Sequence, residues 1–306
     1  QGGQSPETDG LSPEIYALLS NARILMAHGE RDLGLGLLRQ AVTSSQSHPL
    51  ILRELGEALG RMEHFSEQAL IFQELVRREY TSENVISLAH SLYHLGDDDG
   101  AIQYYFEALG IITELSESHF EAYKNLGNIQ LKRGDLDSAE ENYHKAYAIN
   151  PRSSALLVNL GTLRIQKEEY SDAHIYFRQA VDMSHENDKA WVGLAIVANH
   201  FADWELAWAN LLRAVEINPN NRTAVHLVGV WAWRDHRHQT AIDVINDYLS
   251  TVNLDEELSL VLINFYCASG ALRTALIEIE RVLAWNPEHA EVRELRKKIN
   301  RMISKA

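Results

Sequence analysis

The chain has 306 residues, with 28 lysines and arginines against 43 aspartates and glutamates, which gives a formal net charge of −15. This acidity argues against general nucleic-acid binding, because such proteins need a basic surface to displace counterions from phosphates. The single cysteine, Cys267, excludes an internal disulfide framework. No apolar run approaches the roughly 20 residues of a membrane-spanning helix, so we expect no direct membrane insertion.

The first predicted element is a head at residues 1–14, which is rich in Gly, Gln, Ser, Pro and acidic residues. This composition is typical of a disordered segment or a linker. The sequence begins with Gln1 rather than Met, which indicates a processed form or a fragment. A targeting segment upstream of Gln1 therefore stays open.

Alanines that recur at one constant interval predict a chain of helical repeats. The series is Ala139, Ala173, Ala207, Ala241 and Ala275, and Ala101 precedes it by a slightly longer interval. Bulky residues follow each alanine by four positions, and a second, mostly small series follows three positions later. The two series are Tyr105, Tyr143, Phe177, Leu211, Ile245 and Ile279, then Ala108, Ala146, Ala180, Ala214, Tyr248 and Val282. Spacings of three and four are typical of helices with one apolar face.

Turn signals divide each unit into two helices. Gly96-Asp97 and Gly134-Asp135 mark such turns inside units. The pair Asn150-Pro151 closes a unit, because the residue before a proline avoids helical geometry.

Residues 120–153 combine these features in one unit. They carry Tyr123, Leu126-Gly127, Ala139, Tyr143, Ala146 and Pro151. This pattern resembles the tetratricopeptide repeat, a 34-residue helix–turn–helix module whose length matches the alanine interval. The resemblance covers roughly residues 15–289 and implies an all-α fold, a right-handed α-α superhelical solenoid of about eight repeats. The repeats are expected to begin at 82, 120, 154, 188, 222 and 256, after two weaker repeats at 15–48 and 49–81.

Residues 290–306 are predicted to form a capping helix. Val292, Leu295, Ile299 and Met302 make one apolar stripe, and basic residues occupy much of the remaining surface. A solenoid needs such a helix because its last repeat would otherwise expose a hydrophobic face. The alternative is a contact of these basic residues with a membrane or a nucleic acid.

The sequence holds no phosphate-binding loop, no G-x-S-x-G motif and no HExxH motif. We therefore predict that the protein is not an enzyme and uses no cofactor. His90 and His94 lie four residues apart on one helix face, a spacing at which two histidines can share a metal ion. The interpretation that we favour is a pair of solvated groove histidines beside an acidic turn, so no metal site is assigned.

The resemblance implies that the first helix of each repeat lines a concave groove, which binds partners. Some members of the family hold the C-terminal carboxylate of a peptide with a clamp of Lys, Asn, Asn, Lys and Arg. At those spacings this sequence has Lys124, Asn128, Asn159 and Lys189, but Gly193 replaces the arginine. Two ammonium groups and two amides can converge on one carboxylate. Alternatively, the two asparagines bridge helices or bind a peptide backbone.

The apolar part of the groove is a second candidate site, suited to an amphipathic helix or an extended hydrophobic peptide. Its residues are Val158, Thr162, Val192, Ile196, His226, Val230 and Trp233. Trp233 is the expected anchor, because buried aromatic residues dominate interface energies. The alternative is that some of these residues belong to the core between repeats.

These patterns predict a non-catalytic adaptor or scaffold, similar to co-chaperones, that holds a partner protein's peptide or amphipathic helix. An acidic C-terminal tail is one form such a partner could take. Two other functions stay open: an assembly factor like the repeat proteins of bacterial pilus biogenesis or secretion, and a regulatory arm of a larger enzyme. We expect a cytoplasmic location; a targeting signal upstream of Gln1 would make it periplasmic or lipid-anchored. The oligomeric state is not predicted.

Overall fold

The computed structural model describes residues 11–111, 116–252 and 254–304. Over these ranges the chain forms 17 α-helices and no β-strand. In chain order they are α1 (Pro13–Ala27), α2 (Arg31–Ser44), α3 (Pro49–Arg61), α4 (Phe65–Arg78), α5 (Ser82–Leu95), α6 (Asp98–Ile111), α7 (Glu117–Lys132), α8 (Leu136–Ile149), α9 (Ser154–Gln166), α10 (Tyr170–Met183), α11 (Asp188–His200), α12 (Trp204–Ile217), α13 (Arg222–Arg234), α14 (His238–Thr251), α15 (Glu256–Ala268), α16 (Leu272–Trp285) and α17 (Ala290–Ile303).

The helices form consecutive pairs, in which each odd-numbered helix from α1 to α15 packs against the even-numbered helix after it. The expected all-α fold of stacked helix pairs is confirmed. The chain divides into two compact units, Gln1–Pro151 and Arg152–Ala306. The first contains α1 to α8 and the second α9 to α17. Residues 1–10 of the expected head lie outside the described residues, and α1 begins at Pro13.

Side-chain caps start the first helix of each repeat in the second unit. The capping residues Ser153, Asn187, Asn221 and Asp255 recur at the same interval as the alanines. A side-chain oxygen of each accepts a hydrogen bond from the backbone N–H three residues later, at 3.0–3.3 Å. These bonds satisfy backbone donors that have no partner within the helix.

The turns inside repeats adopt a left-handed backbone conformation once per repeat. Gly134, Glu168, Ala202, His236 and Gly270 occupy equivalent places in successive repeats, with φ between +55° and +78°. Glycine adopts this conformation at no steric cost, whereas residues with a Cβ atom are strained in it. Three of these turns therefore form in spite of a local steric cost.

The predicted alanine series lies in the core. Ala101, Ala139, Ala173, Ala207, Ala241 and Ala275 are all 0% exposed. The bulky series is buried with it, and Phe177 is the example that matters for the site. Its ring packs so closely on α9 and α11 that a Cβ atom would come within 2.7 Å of it at Gly161 and within 2.4 Å at Gly193. Glycine at both positions lets the two helices approach this ring.

The last helix, α17, packs with its apolar stripe on the preceding repeat. Val292 and Ile299 are buried against Ile279 and its neighbours in α16, and Leu295 is partly buried there. Met302, the fourth residue of the expected stripe, is 46% exposed, so the buried stripe ends at Ile299. Over the described ranges, no helix has both the length and the apolar character needed to cross a membrane.

Candidate functional site

The second unit contains a cavity of about 650 Å³, which lies among α9, α11 and the start of α13. We call it the groove cavity. Its lining residues are Val158, Asn159, Thr162, Ile165, Gln166, Phe177, Asp188, Lys189, Val192, Gly193, Ile196, Asn218, Asn220, Asn221, Arg222 and Thr223. Six of the residues predicted for the groove therefore meet around one space: Val158, Asn159, Thr162, Lys189, Val192 and Ile196.

The floor of the groove cavity is apolar and largely part of the core. Val158 and Val192 are only 8% and 6% exposed, and Ile196 is half-buried. The structure thus places the first two mainly in the core between repeats, the alternative that the sequence left open. The Thr162 hydroxyl donates a hydrogen bond to the Val158 carbonyl at 2.9 Å, so it is satisfied within its helix. The floor therefore offers a ligand an apolar surface with few polar atoms that need a hydrogen-bond partner.

The rim of the cavity is polar, and most of its charged groups are already paired. Asp188 accepts hydrogen bonds from the amides of Asn218 and Asn221, at 2.7 and 2.8 Å. Arg222 forms ion pairs with carboxylates of α15 and its cap, which raise the pKa of its guanidinium. Lys189 is exposed and has no hydrogen bond or ion pair within the described parts of the chain. Its ammonium group is therefore the cation on this rim that a ligand can reach without displacing a partner.

A smaller cavity of about 360 Å³ adjoins the groove cavity and shares four lining residues with it, among them Asn159 and Lys189. Both side chains are thus placed between two concave surfaces. The sequence missed the contribution of the start of α13. Asn218, Asn220 and Asn221 directly precede this helix, and their three amides supply much of the polar rim.

The structure explains why the expected fifth clamp position holds no arginine. Gly193 faces the ring of Phe177, and a Cβ atom there would lie 2.4 Å from ring carbons. Any side chain at this position would have to displace a buried aromatic ring. In this chain a carboxylate clamp built on the family's pattern must do without its arginine.

The other two clamp positions, Lys124 and Asn128, belong to the first unit, where intramolecular contacts occupy them. Lys124 is 17% exposed, pairs with Glu121 at 2.6 Å and lies 5.2 Å from the centre of the Phe120 ring. Glu121 thus neutralises much of the positive charge expected here.

Asn128 joins two tyrosines of the first unit. Its amide donates to the Tyr93 hydroxyl at 3.2 Å, and its carbonyl oxygen accepts from the Tyr143 hydroxyl at 2.9 Å. Burial raises the pKa of Tyr143, so this hydroxyl keeps the proton that it donates. These bonds match the helix-bridging role that the sequence left open for Asn128.

The last three predicted groove residues, His226, Val230 and Trp233, lie on α13 and do not line the groove cavity. Val230 is 50% exposed and Trp233 is 43% exposed. One face of the Trp233 indole stacks on Phe265, with ring centres 4.7 Å apart. The Nδ1 atom of His226 lies 3.3 Å from a Glu257 oxygen. Val230 and Trp233 form a separate exposed apolar patch.

The two histidines considered for a metal contact each other through their rings. Their ring centres are 4.4 Å apart at 74°, and His94 also stacks on Phe65 at 4.2 Å. Burial lowers the pKa of both His90 and His94. Within the described residues they are not part of a group of three or more potential metal ligands.

Comparison with protein families shows which class of repeat this is. Two models, each described as tetratricopeptide repeat, match residues 81–152 and 158–222. The chain therefore contains tetratricopeptide repeats over these residues, which the structure folds into stacked helix pairs.

Curated proteins with similar sequences include subunits of protein complexes and an assembly protein. Anaphase-promoting complex subunit 3 of Schizosaccharomyces pombe is 24% identical over 98% of this chain and 44% of its own length. BBSome complex member BBS4 of Bos taurus is 26% identical over 48% of this chain and 28% of its own length. Photosystem I assembly protein Ycf3 of a Synechococcus strain is 34% identical over 29% of this chain and 54% of its own length. The chain spans less than half the length of the first two relatives.

Two solved structures share the fold. The APC/C hetero-tetramer Cut9–Hcn1 has a TM-score of 0.62 at 17% identity, over 95% of this chain and 57% of the matched chain. Pseudomonas aeruginosa pilF has a TM-score of 0.56 at 17% identity, over 72% of this chain and 99% of its own. At these identities the likeness concerns the fold alone.

Proposed function

We propose that this chain is a non-catalytic protein-interaction scaffold whose groove cavity binds an extended peptide segment of a partner protein. The observation that carries the proposal is the combination of an apolar floor with the unpaired ammonium of Lys189 on its rim. Cavities of roughly 300–1,000 Å³ with an apolar lining and a few polar groups are typical ligand sites. The repeat class and the assembly components among the relatives support a scaffold role.

The chemistry of the cavity selects the kind of segment. Apolar side chains fit against Ile196 and the partly accessible surfaces of Val158 and Val192. A carboxylate of the segment pairs with Lys189, as a terminal carboxylate or as an acidic side chain. Amides such as those of Asn159 and Gln166 suit the backbone of an extended peptide. The preferred ligand is therefore an extended peptide with one or two apolar residues beside a negative charge.

A displayed library of random peptides with free C-termini, selected on the intact chain, would test this function. Selected sequences are synthesised and their binding is measured by fluorescence anisotropy. We expect Lys189→Ala to weaken binding about tenfold or more, because a charge-assisted hydrogen bond contributes roughly 1.5–3 kcal/mol. The matched control is Lys297→Ala, since Lys297 is exposed in the same unit and pairs with Glu294 away from the groove cavity.

Two further comparisons separate the parts of the proposal. A C-terminal amide version of each peptide shows whether the terminal carboxylate pairs with Lys189, and Ile196→Ala tests the apolar floor. If the selected peptides bind Lys189→Ala and Ile196→Ala as tightly as the parent chain, the groove cavity is not the binding site.

A second candidate site rests on the exposure of Val230 and Trp233. An amphipathic helix of a partner would cover this apolar patch. Trp233→Ala would then weaken binding with little dependence on salt, whereas the effect of Lys189→Ala decreases at high salt because exposed charges are screened. The two sites are therefore distinguishable with the same peptide or partner.

A further inference from the structure

A third concave surface of the second unit lies at the turns between paired helices and shares no lining residue with the groove cavity. It has a volume of about 340 Å³ and is formed by residues 168–172, at the start of α10, and by His200 and Phe201, at the end of α11. We call it the edge corner.

Two aromatic surfaces at right angles form the walls of the edge corner. The rings of Tyr170 and His200 stack with centres 3.5 Å apart and planes 7° apart. The Phe201 ring stands at 81° to the His200 ring, with centres 5.1 Å apart. Phe201 is 57% exposed, so its ring contributes little to the core. An open angle between ring surfaces can accept a compact group from solvent.

Carboxylates surround these rings. Glu168 and Asp172 are exposed, and neither has a hydrogen bond or an ion pair from its side chain within the described parts of the chain. Glu169 also lines the corner, but it is paired with Arg164 at 2.6 Å. Asp172 lies in the first turn of α10, where a negative charge is favourable for the helix dipole. Glu168 precedes the helix, in a left-handed turn, and its charge has no such structural explanation.

The electrostatic balance of the corner is negative. Arg164 offsets Glu169, and the N-terminus of α10 contributes roughly half a positive charge. Two unpaired carboxylates outweigh that half charge. Aromatic rings attract cations through the negative potential of their faces, and desolvation strengthens this attraction. Ring walls with a negative rim therefore favour a cation over an anion or a neutral apolar group.

We infer that the edge corner binds a lysine or arginine side chain from a basic segment of a partner protein. The cation lies against the aromatic walls, and Glu168 and Asp172 provide the opposite charge. The net charge of −15 on the whole chain favours the approach of such a segment. The inference does not depend on the groove cavity, where Lys189 selects the opposite charge.

The test uses two capped five-residue peptides that are identical except for lysine or neutral norleucine at the centre. Each is titrated into the isotope-labelled intact chain while backbone amide resonances are followed by NMR. We expect the lysine peptide to shift the amides of residues 168–172 and of His200 and Phe201. The norleucine peptide should bind about tenfold more weakly, as expected when a cation–π contact and nearby carboxylates are lost. Equal binding of both peptides, or no shift at these amides, would overturn the inference.

Matched variants distinguish the walls from the rim. Phe201→Ala should weaken binding of the lysine peptide about threefold to tenfold. The control for this change is Phe106→Ala, which removes a similarly exposed phenylalanine from α6 in the first unit. If Phe201→Ala binds like the parent, or if Phe106→Ala weakens binding as much, the walls do not form the site.

The combination of Glu168→Gln with Asp172→Asn should weaken binding and reduce its dependence on salt. The control combines Asp247→Asn with Glu291→Gln, which also removes two charges, because both carboxylates are exposed in the same unit and form no ion pair within the described ranges. Equal effects of the rim variant and this control would show that only the overall charge matters, and would overturn the local site. Circular dichroism of each variant confirms that the helices are retained.

Discussion

Replacement of Gly193 by alanine tests the packing that determines the shape of the groove cavity. In an exposed helix position, glycine to alanine stabilises a protein by about 0.5–1 kcal/mol, because alanine loses less backbone entropy on folding. At Gly193 the added methyl group would lie 2.4–2.5 Å from three carbons of the Phe177 ring. Carbon atoms in contact are normally about 3.5–4.0 Å apart, so the ring or the helix must shift by about an ångström.

The change in unfolding free energy caused by Gly193→Ala is the difference between the cost of this close contact and the gain in helix propensity. Overpacking of a well-filled core by one methyl group costs about 1–3 kcal/mol. The helix gain of about 1 kcal/mol offsets part of this cost, so the net destabilisation by Gly193→Ala is about 0–2 kcal/mol. Phe177→Leu in the same chain removes the ring, and it should make Gly193→Ala less harmful than it is alone.

Substitutions at two other helical glycines serve as controls for the stability change at Gly193. A Cβ atom at Gly36 in α2 meets nothing within 4 Å, so Gly36→Ala should stabilise by about 0.5–1 kcal/mol. At Gly229 in α13 the nearest atom is a Val261 methyl at 3.1 Å, and alanine there should be nearly neutral.

Urea unfolding followed by far-ultraviolet circular dichroism gives the three values, and changes in midpoint at constant slope report stability. If Gly193→Ala stabilises as much as Gly36→Ala does, the close contact with Phe177 is wrong.

Two further predictions concern the turns and the first unit. Ala202→Gly should stabilise the chain by about 0.5–1 kcal/mol in urea unfolding, because the strain of its left-handed conformation exceeds the entropy cost of glycine; a destabilised variant would contradict this. Burial lowers the pKa of His90 and His94 in the folded chain. As the pH falls, these two histidines therefore take up protons in the unfolded chain before they do so in the folded chain. The stability that the neutral histidines provide is present above about pH 6.5 and is lost as the pH falls below it. Unfolding midpoints between neutral and mildly acidic pH should therefore fall less steeply for the His90→Gln/His94→Gln variant than for the parent, and identical slopes would exclude the effect.

The period in the sequence predicts the buried face of each repeat, because one packing geometry recurs in every repeat. Ala139, Tyr143 and Ala146 are completely buried, as their spacing indicates. The sequence does not predict the left-handed turn at Ala202, since alanine does not favour this conformation and the repeat imposes it. The sequence does not indicate the division of the chain into two units at Pro151, because the repeat period continues across this residue.

The candidate site was predictable only in part, because position on a helix does not determine what a side chain contacts. The groove register predicts Asn159, Lys189 and Ile196 on one surface, and in the structure all three line one cavity. It overestimated the accessibility of Lys124, although the spacing of Glu121 and Lys124 by three residues on one helix was enough to indicate their ion pair. The edge corner was missed because its residues come from two different turns and form no repeated pattern.

The contact of Phe177 with Gly161 and Gly193 has a consequence for engineering this chain. Because one ring fills the space that both missing Cβ atoms leave, the three positions cannot be varied independently. A library that randomises either glycine while keeping the phenylalanine would consist mostly of poorly folded members. Variation of all three positions together, with a smaller residue at 177 and alanine or serine at 161 or 193, samples the sequences that can still fold. New ligand preferences on the part of the groove cavity that Phe177 and Gly193 line therefore require such coupled changes.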